Sequence, residues 1–352
     1  MLLLFAREVA IQVGIFGKQQ LGIDLGTANT IIYLAKKGIA LQQPSIVALD
    51  KATGKVVAFG KDASRLVGRT SDRYETVHPI RNGVIADFSL TKKMLAYFIS
   101  EALNRSISRP EVVICAPSKI SKVERKAIID AIKSLGINRA MIVEEPFVAA
   151  LGAGLAVEEA RGKMVVDVGG GTTDIATLSF GEIVNSLTLT AASNAMNDEI
   201  ASQVRIDHQL LIGSYTAETL KIVIGDALVE KSDPDDHLIV KGRHAVSGIP
   251  SEAKVSTRTV AKALDSVINQ ILLGIKQILE VTPPELSADI METGIVLTGG
   301  GSLLKHLPDR LEKELSVSVR RANLPIDCVA TGAGMMFDEL NRRSILIERN
   351  LR

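Results

Sequence analysis

Along this chain, short continuous apolar runs alternate with stretches in which apolar residues recur every three or four positions, the pattern of strands interleaved with helices. In "LGIDLGTANTIIYLA", Leu21 to Leu25 and Thr30 to Ala35 read as strands around a tight, glycine-containing turn. The same order returns in "MVVDVGGGTTDIATLS", Met164 to Ser179. Each time a buried strand ends in an aspartate, Asp24 or Asp167, runs through one apolar residue into Gly and Thr, and comes back as a second strand. The two aspartates stand 143 positions apart, too long a period for a solenoid and right for a duplicated domain.

Each half continues with a helix-rich section and a later strand. In the first, Leu90 to Leu103 has helical spacing, "EVVICAPS" is a strand stopped by Pro117, and Lys122 to Leu135 is amphipathic. In the second, Val260 to Leu279 is a long helix, Pro283 and Pro284 punctuate it, and "GIVLTGGGS" is a strand ending in glycines. "VVICAPS" and "IVLTGGGS" are thus counterparts. The alternation predicts α/β architecture with mixed sheets, and inserted material at about 47–78 and about 200–257 would form outer subdomains. No Pro/Gly/Ser-rich linker separates the halves, which suits lobes that hinge.

The amino terminus, "MLLLFAREVAIQVGIFGKQQ", departs from this pattern. Arg7 and Glu8 interrupt it well short of the roughly 20 apolar residues that a bilayer span needs, and it lacks the basic start of a secretory signal. On a helical projection Arg7, Glu8, Gln12, Lys18 and Gln19 share a polar arc, while Leu2, Leu3, Leu4, Phe5, Val9, Ile11, Val13 and Phe16 fill most of the rest. This predicts an amphipathic helix that inserts reversibly into a membrane interface, the alternative being a terminal helix packed on its own domain or a partner.

Composition narrows the class. At 352 residues, two domains or lobes are expected, and 46% hydrophobic with 23% charged residues is an ordinary globular balance that excludes disorder as the theme. Net charge is +1 with the charges interspersed, so no polyanion partner is indicated and nucleic-acid binding is not expected. Cys115 and Cys328 lie far apart in apolar runs and read as buried thiols, and the five histidines make no metal-binding pair.

The glycine turns carry the candidate chemistry. A Gly-rich strand–turn–strand points successive backbone N–H groups at one spot without a Cβ to block an anion, so it can cradle phosphate. Thr27, Thr172 and Thr173 add hydroxyls, and aspartates at the strand ends suit hydrated Mg²⁺. One such turn would more often be only a turn; its duplication with the same aspartate makes a paired phosphate clamp the better reading. GxxxxGK[ST], GxSxG and a helix-opening GxGxxG are all missing from the sequence.

Taken together, "GIDLGTANTIIYL", "GVIADF", "VEEPFVAALGAGL", "VDVGGGTTDIA", "IGDA", "TPPELSADIMETGIVLTGGGSLL" and "ATGAG" resemble the MreB family of bacterial actin-like cell-shape proteins, within the superfamily of actin, sugar kinases and heat-shock chaperone ATPases. The resemblance runs from about Leu21 to Leu340. It implies a duplicated actin-like (ribonuclease H-like) α/β fold, two lobes with mixed five-stranded sheets around a nucleotide cleft, in four subdomains. Lobe I would be 21–160 with 330–352, and lobe II 161–329.

The cofactors implied are ATP and Mg²⁺. By resemblance, Gly26, Thr27, Ala28 and Asn29 would form the first phosphate turn and Gly169, Gly170, Gly171, Thr172 and Thr173 the second. Asp24 and Asp167 would hold Mg²⁺ through water, and Glu145, with Thr173, would serve hydrolysis by orienting the attacking water; Glu144 is the neighbouring candidate. Glu218, Lys221 and Gly225 would meet the nucleoside, Ser193 and Asn194 the ribose or phosphate, and Gly299, Gly300 and Gly301 would let adenine lie against backbone. One departure stands out. "AASNAMNDE" puts Ala192, Ser193 and Asn194 where the family usually has Gly-Gly-acid, which is expected to remove φ > 0 freedom and weaken nucleotide binding or turnover.

The resemblance implies a weak ATPase that polymerises, as antiparallel doublets, on the inner face of the cytoplasmic membrane and organises cell shape and lateral wall synthesis. Its partners would be itself, that membrane and wall-elongation proteins such as MreC and RodZ. The loop "LNRSISRPE" offers only Leu103 and Ile107 as a hydrophobic membrane tip, so the amino terminus carries more of that expectation. Competing readings are a degenerate filament protein that hydrolyses ATP poorly and a small-molecule kinase. A chaperone would need a peptide-binding domain, and only nine residues follow "MMFDELNRR".

Overall fold

The computed structural model describes residues 19–69, 71–105, 110–117, 120–230 and 234–338. Leu2, Leu3, Leu4, Phe5, Val9, Ile11 and Phe16, expected to contact a membrane, lie outside the described residues, as does Ile107. The chain divides into two compact units, residues 1–154 with 327–352, and residues 155–326.

In the first unit, the apolar runs pair into a five-stranded sheet in the order Ala140–Glu144, Glu111–Ala116, Gln20–Leu25, Asn29–Leu34, Gly38–Pro44. Gln20–Leu25 pairs antiparallel with Asn29–Leu34 and parallel with Glu111–Ala116. Glu111–Ala116 is buried at every residue, as a central strand flanked by parallel neighbours requires, whereas Gly38–Pro44 at the edge is largely open. The helix Phe88–Ala102 brings Met94, Leu95 and Phe98 onto Leu21, Ile23 and Ile32, and Lys122–Lys133 adds Ile128 and Ile132 to that core. Both helices start on side-chain caps. Asp87 accepts from the Leu90 amide, and Ser121 and Glu124 form a reciprocal capping box. Leu103 is buried in this core and offers nothing to a membrane surface, contrary to expectation, because it closes the helix on its apolar side. Lys55–Phe59, Val47–Asp50 and Tyr74–Val77 form a separate three-stranded sheet with its own small core around Ile46, Ala48 and Ala63.

Residues 328–338 form a helix that completes the first unit. It crosses the helix Glu145–Gly152 with no side chain between them: a Cβ on Gly152 would overlap the Cys328 carbonyl, and one on Gly332 the Val148 carbonyl. A Cβ on Gly334 would strike the Tyr33 ring. Cys115 and Cys328 are buried free thiols.

The second unit repeats the plan. Its sheet runs Glu182–Leu189, Thr173–Ser179, Lys163–Val168, Ile295–Thr298, Val319–Arg321. Numbered by order of appearance, both sheets read 3-2-1-4-5, with strands 1 to 3 antiparallel and 4 and 5 parallel. The long helix Thr257–Val281 buries Val260, Leu264, Val267, Ile268, Ile271 and Ile275 against this sheet and the helix Ser193–His208. The second insert contributes Leu210–Leu211, His237–His244 and Pro250–Ser256 as a three-stranded sheet, with the helix Ser214–Ile224. Among the described residues, no helix is long and apolar enough to cross a membrane.

Candidate nucleotide-binding turns

Each unit carries one glycine hairpin at the end of its first strand. In the first, Leu25 pairs with Thr30, and Gly26 begins the turn with its Cβ position 2.7 Å from the Asn29 carbonyl oxygen. In the second, Val168 pairs with Thr173, and the Gly169 Cβ position is 2.9 Å from the Thr172 carbonyl oxygen, to which the Gly169 amide donates at 2.9 Å. Both glycines are demanded by the turn itself. The 143-residue offset therefore holds through the register as well as the sequence.

Around the first turn the supports are hydroxyls and two amides. Ser45 Oγ donates to the Gly26 carbonyl at 2.7 Å and shares a 2.9 Å hydrogen bond with Thr30 Oγ1, while the Ser45 amide donates to the Ala28 carbonyl at 2.8 Å. Thr27 Oγ1 accepts from the Gly83 amide at 2.9 Å. An amide can only donate, so the Thr27 hydroxyl proton stays available. Gly83 lies in the two-residue turn Asn82-Gly83, both at positive φ, between Ile80–Arg81 and Val84–Ile85. Asn29 is exposed and Asp24 half-buried. Glu145 opens the helix Glu145–Gly152 and is buried, whereas Glu144 is the half-buried last residue of the strand before it. The two carboxylates thus differ in exposure and element.

The second turn is packed by backbone and by a helix start. The amides of Ser193 and Asn194 donate to the carbonyls of Gly169 at 3.1 Å and Gly170 at 2.8 Å. Thr173 is fully buried and gives its hydroxyl to the Ala191 carbonyl at 2.6 Å. Lys221 Nζ donates to the Ser193 carbonyl at 3.0 Å; burial pushes this ammonium down to about 8, against the opposing charge of Glu218, which is itself exposed. Gly225 closes the same helix where a Cβ would overlap the Lys221 carbonyl. Gly299 has φ +77°, and a Cβ there would overlap the Val168 carbonyl; one on Gly301 would overlap the Val168 side chain and come within 2.8 Å of Ser193 Oγ. Gly300 differs, since its Cβ would meet only Ile326 Cγ1 at 3.9 Å, leaving its backbone open. Asp167 accepts from Thr298 Oγ1 at 2.8 Å, and burial pushes its carboxyl up to about 6 against that hydrogen bond.

Within the second unit the structure therefore brings Asp167, Gly169 to Thr173, Ser193, Asn194, Lys221, Gly225, Gly299 and Gly301 into one connected set. Ser45 and Gly83 were missed by sequence reasoning. An Asn-Gly pair between apolar residues was the available signal for Gly83. Ala192 to Asn194 need no φ > 0 freedom: Ala192 takes φ −149°, which any residue adopts, and none of the three has positive φ.

Two sheets of one topology, each with an Asp-Gly hairpin at the same register, define a duplicated actin-like α/β fold. The MreB/Mbl protein family profile matches residues 18–345, and the chain belongs to that family. It is 44% identical over 325 residues to the cell shape-determining protein Mbl of Bacillus subtilis (strain 168), covering 92% of this chain and 97% of the relative. MreB5 of Spiroplasma citri, solved bound to AMPPNP and bound to ADP, superposes with a TM-score of 0.88 in both structures at 32% and 33% identity. Those matches cover 95% and 93% of this chain, and 99% and 98% of the solved chains. A MamK double helical filament matches with TM-score 0.78 at 22% identity, covering 92% and 99%, a likeness of fold.

Proposed function

We propose that the protein is an ATP-binding bacterial actin homologue that polymerises into filaments on the inner face of the cytoplasmic membrane and organises cell shape and lateral wall synthesis. The observation that carries the reading is the connected set in the second unit, in which a glycine turn, a helix start and a half-buried lysine meet, with the open backbone of Gly300 between Gly299 and Gly301. The nucleotide-bound MreB5 structures and the filament of MamK support it.

The residues fit the cofactor. The open Gly300 backbone can take a flat base, the turn amides and the Thr27 proton can donate to phosphate oxygens, and Lys221 adds a positive charge near Ser193. Asp24 and Asp167 offer the hard oxygens that Mg²⁺ prefers. Among the described residues no group of three or more acids, His or Cys could hold a metal, which suits an ion carried by one or two carboxylates and phosphate. When bound, Mg·ATP supplies the phosphoanhydride whose hydrolysis alters the subunit's preference for the filament. Glu145 orients the attacking water, and Thr173, its hydroxyl given to Ala191, acts by holding the turn in shape. The amino-terminal segment attaches the filament to lipid, and partners are further copies of the chain and wall-elongation proteins such as MreC and RodZ.

Pelleting and electron microscopy with ATP, with and without anionic liposomes, test this reading. Polymers are expected with ATP, and their absence under all these conditions would overturn it. Removing Met1 to Gln20 is expected to abolish liposome co-sedimentation while sparing ATP binding; co-sedimentation at the level of the full chain would remove the anchor from the proposal. Gly170→Val is expected to block phosphate entry, and full ATP affinity in that variant would show the turn to be misassigned.

A further inference from the structure

The segment "IGDA" holds an aspartate, Asp226, to which the nucleotide reading gives no role. It follows Gly225 at the end of the helix Ser214–Ile224 and is 5% exposed. Its carboxylate accepts from the Leu228 amide at 3.0 Å, pairs with Lys305 Nζ at 3.0 Å, and lies 2.9 and 3.1 Å from His306 Nδ1. The backbones meet at the same place: Asp226 bridges Lys305 in parallel, and the Ala227 amide donates to the Lys305 carbonyl at 2.9 Å. His306 has φ +54°, a left-handed conformation uncommon for residues other than glycine. It stands before the helix Leu307–Leu315 without capping it by a side-chain hydrogen bond, and its ring turns to Asp226 instead.

This staple joins the two backbone segments expected to meet the nucleoside. On one side stand Lys221 and Gly225; on the other is the turn Gly299 to Gly301, whose continuation Gly300–Leu303 reaches Lys305 two residues later. Lys221 Nζ and the Cβ position of Gly301 both approach Ser193, so the two sides converge there. Arg321 holds the turn from the sheet, with Nε donating to the Ser302 carbonyl at 2.6 Å and Nη2 to the Leu304 carbonyl at 3.1 Å. Arg321 thus ties the turn to the strand Val319–Arg321, and Asp226 ties it to the helix Ser214–Ile224. A carboxylate is costly to bury, and the backbones are already bonded to each other, so the side-chain staple is accounted for by the spacing it fixes.

We propose that Asp226 is a positioning residue for the base of the nucleotide: through Lys305 and His306 it sets the distance between the helix end at Gly225 and the open backbone of Gly300, between which the base lies. The inference rests on the nucleotide reading above. It predicts a loss confined to the nucleoside, because the phosphate turn Gly169 to Thr173 is held by other contacts, the amides of Ser193 and Asn194 and the Thr173 hydroxyl.

The test is equilibrium binding of ATP and of inorganic tripolyphosphate, which has the phosphates but no nucleoside, to the full chain as wild type, Asp226→Ala, Asp226→Asn and His306→Asn. Asp226→Ala is expected to bind ATP about tenfold more weakly, the scale of loss when a group that orients a ligand-binding residue is removed, and to bind tripolyphosphate as the wild type does. Asp226→Asn, which keeps the size and can still accept from Leu228, should lose less. His306→Asn keeps the backbone, since asparagine tolerates positive φ, and should show a loss in the same selective sense. If Asp226→Ala does not fold, the two asparagine variants decide. Wild-type ATP affinity in every variant that folds overturns the inference, as does an equal loss for ATP and tripolyphosphate, which would make the staple merely structural. If the wild type binds ATP no more tightly than tripolyphosphate, the nucleoside reading fails and takes this inference with it; if only the variants match the wild type, this inference alone fails.

Discussion

The two glycine hairpins share a register yet are held differently. The first is tied mainly by side-chain hydroxyls, Ser45 and Thr27, with two amides, those of Ser45 and of Gly83 in the Asn82-Gly83 turn. The second is wedged by backbone: amides from the start of the helix Ser193–His208 and glycines at 299 and 301 that leave no room for a Cβ. A duplicated turn can therefore keep its shape while the means of holding it change. The second is expected to be the stiffer and the less tolerant of substitution, because displaced backbone has fewer alternative positions than a rotatable hydroxyl.

The strongest way to break this contrast is Gly301→Ala. Its Cβ would collide with Val168 and crowd Ser193, so a loss of about 3 kcal/mol in denaturant unfolding is expected, against almost none for Gly300→Ala. Equal costs at the two positions would contradict the wedged turn. The next effect is a dependence on pH. Burial raises Asp167 to about 6, so the folded protein holds a proton that the unfolded chain releases near its ordinary value of 3.8. Stability from this group is full below about 4, falls as pH rises through about 6, and is gone above, a change of about 3 kcal/mol for a shift of roughly two units. Unfolding curves between pH 4 and 7 should show the decline, and Asp167→Asn should flatten it.

Hydroxyl deletions sharpen the comparison further. Thr173→Val leaves the Ala191 carbonyl without its donor and should cost about 1–3 kcal/mol. Thr30→Val should cost less, because Ser45 Oγ keeps its bond to the Gly26 carbonyl. A larger loss at Thr30 would show that the first turn depends on the Thr30–Ser45 hydroxyl pair and not only on the Ser45 bond to the Gly26 carbonyl. The smallest effect is expected at Ala192→Gly. With φ −149° already open to alanine, the change should lower stability by at most about 1 kcal/mol through unfolded-state entropy.

Much of this was legible in the sequence. Period-2 and period-3.6 patterns located the hairpin strands to within a residue or so at each end, and the helix expected at Val260 to Leu279 is Thr257–Val281. The Asp-Gly repeat pointed to the duplication because turn chemistry is local. What stayed hidden depends on residues far apart in the chain. Ser45 reaches Gly26, Gly83 reaches Thr27, and Thr188 reaches Asp174 only once the sheets have formed. The "AASN" segment shows the opposite case, in which a local residue pattern says less than the backbone. The resemblance suggested a place for positive φ there, but the backbone is extended at Ala192 and then helical.

The glycine crossing in the first unit also has a consequence for the order in which the molecule is made. Residues 155–326 are one unbroken segment, and the last strand of its sheet, Val319–Arg321, is complete before Asp327 is added. The other unit begins at the amino terminus but must wait for residues 328–338, whose Gly332 meets Val148 and whose Gly334 fits beside Tyr33. On a ribosome that emits about 5–20 residues per second, the inner segment can close its core while the outer one is still missing its final helix. The first strand to leave the ribosome thus belongs to the last unit to be finished.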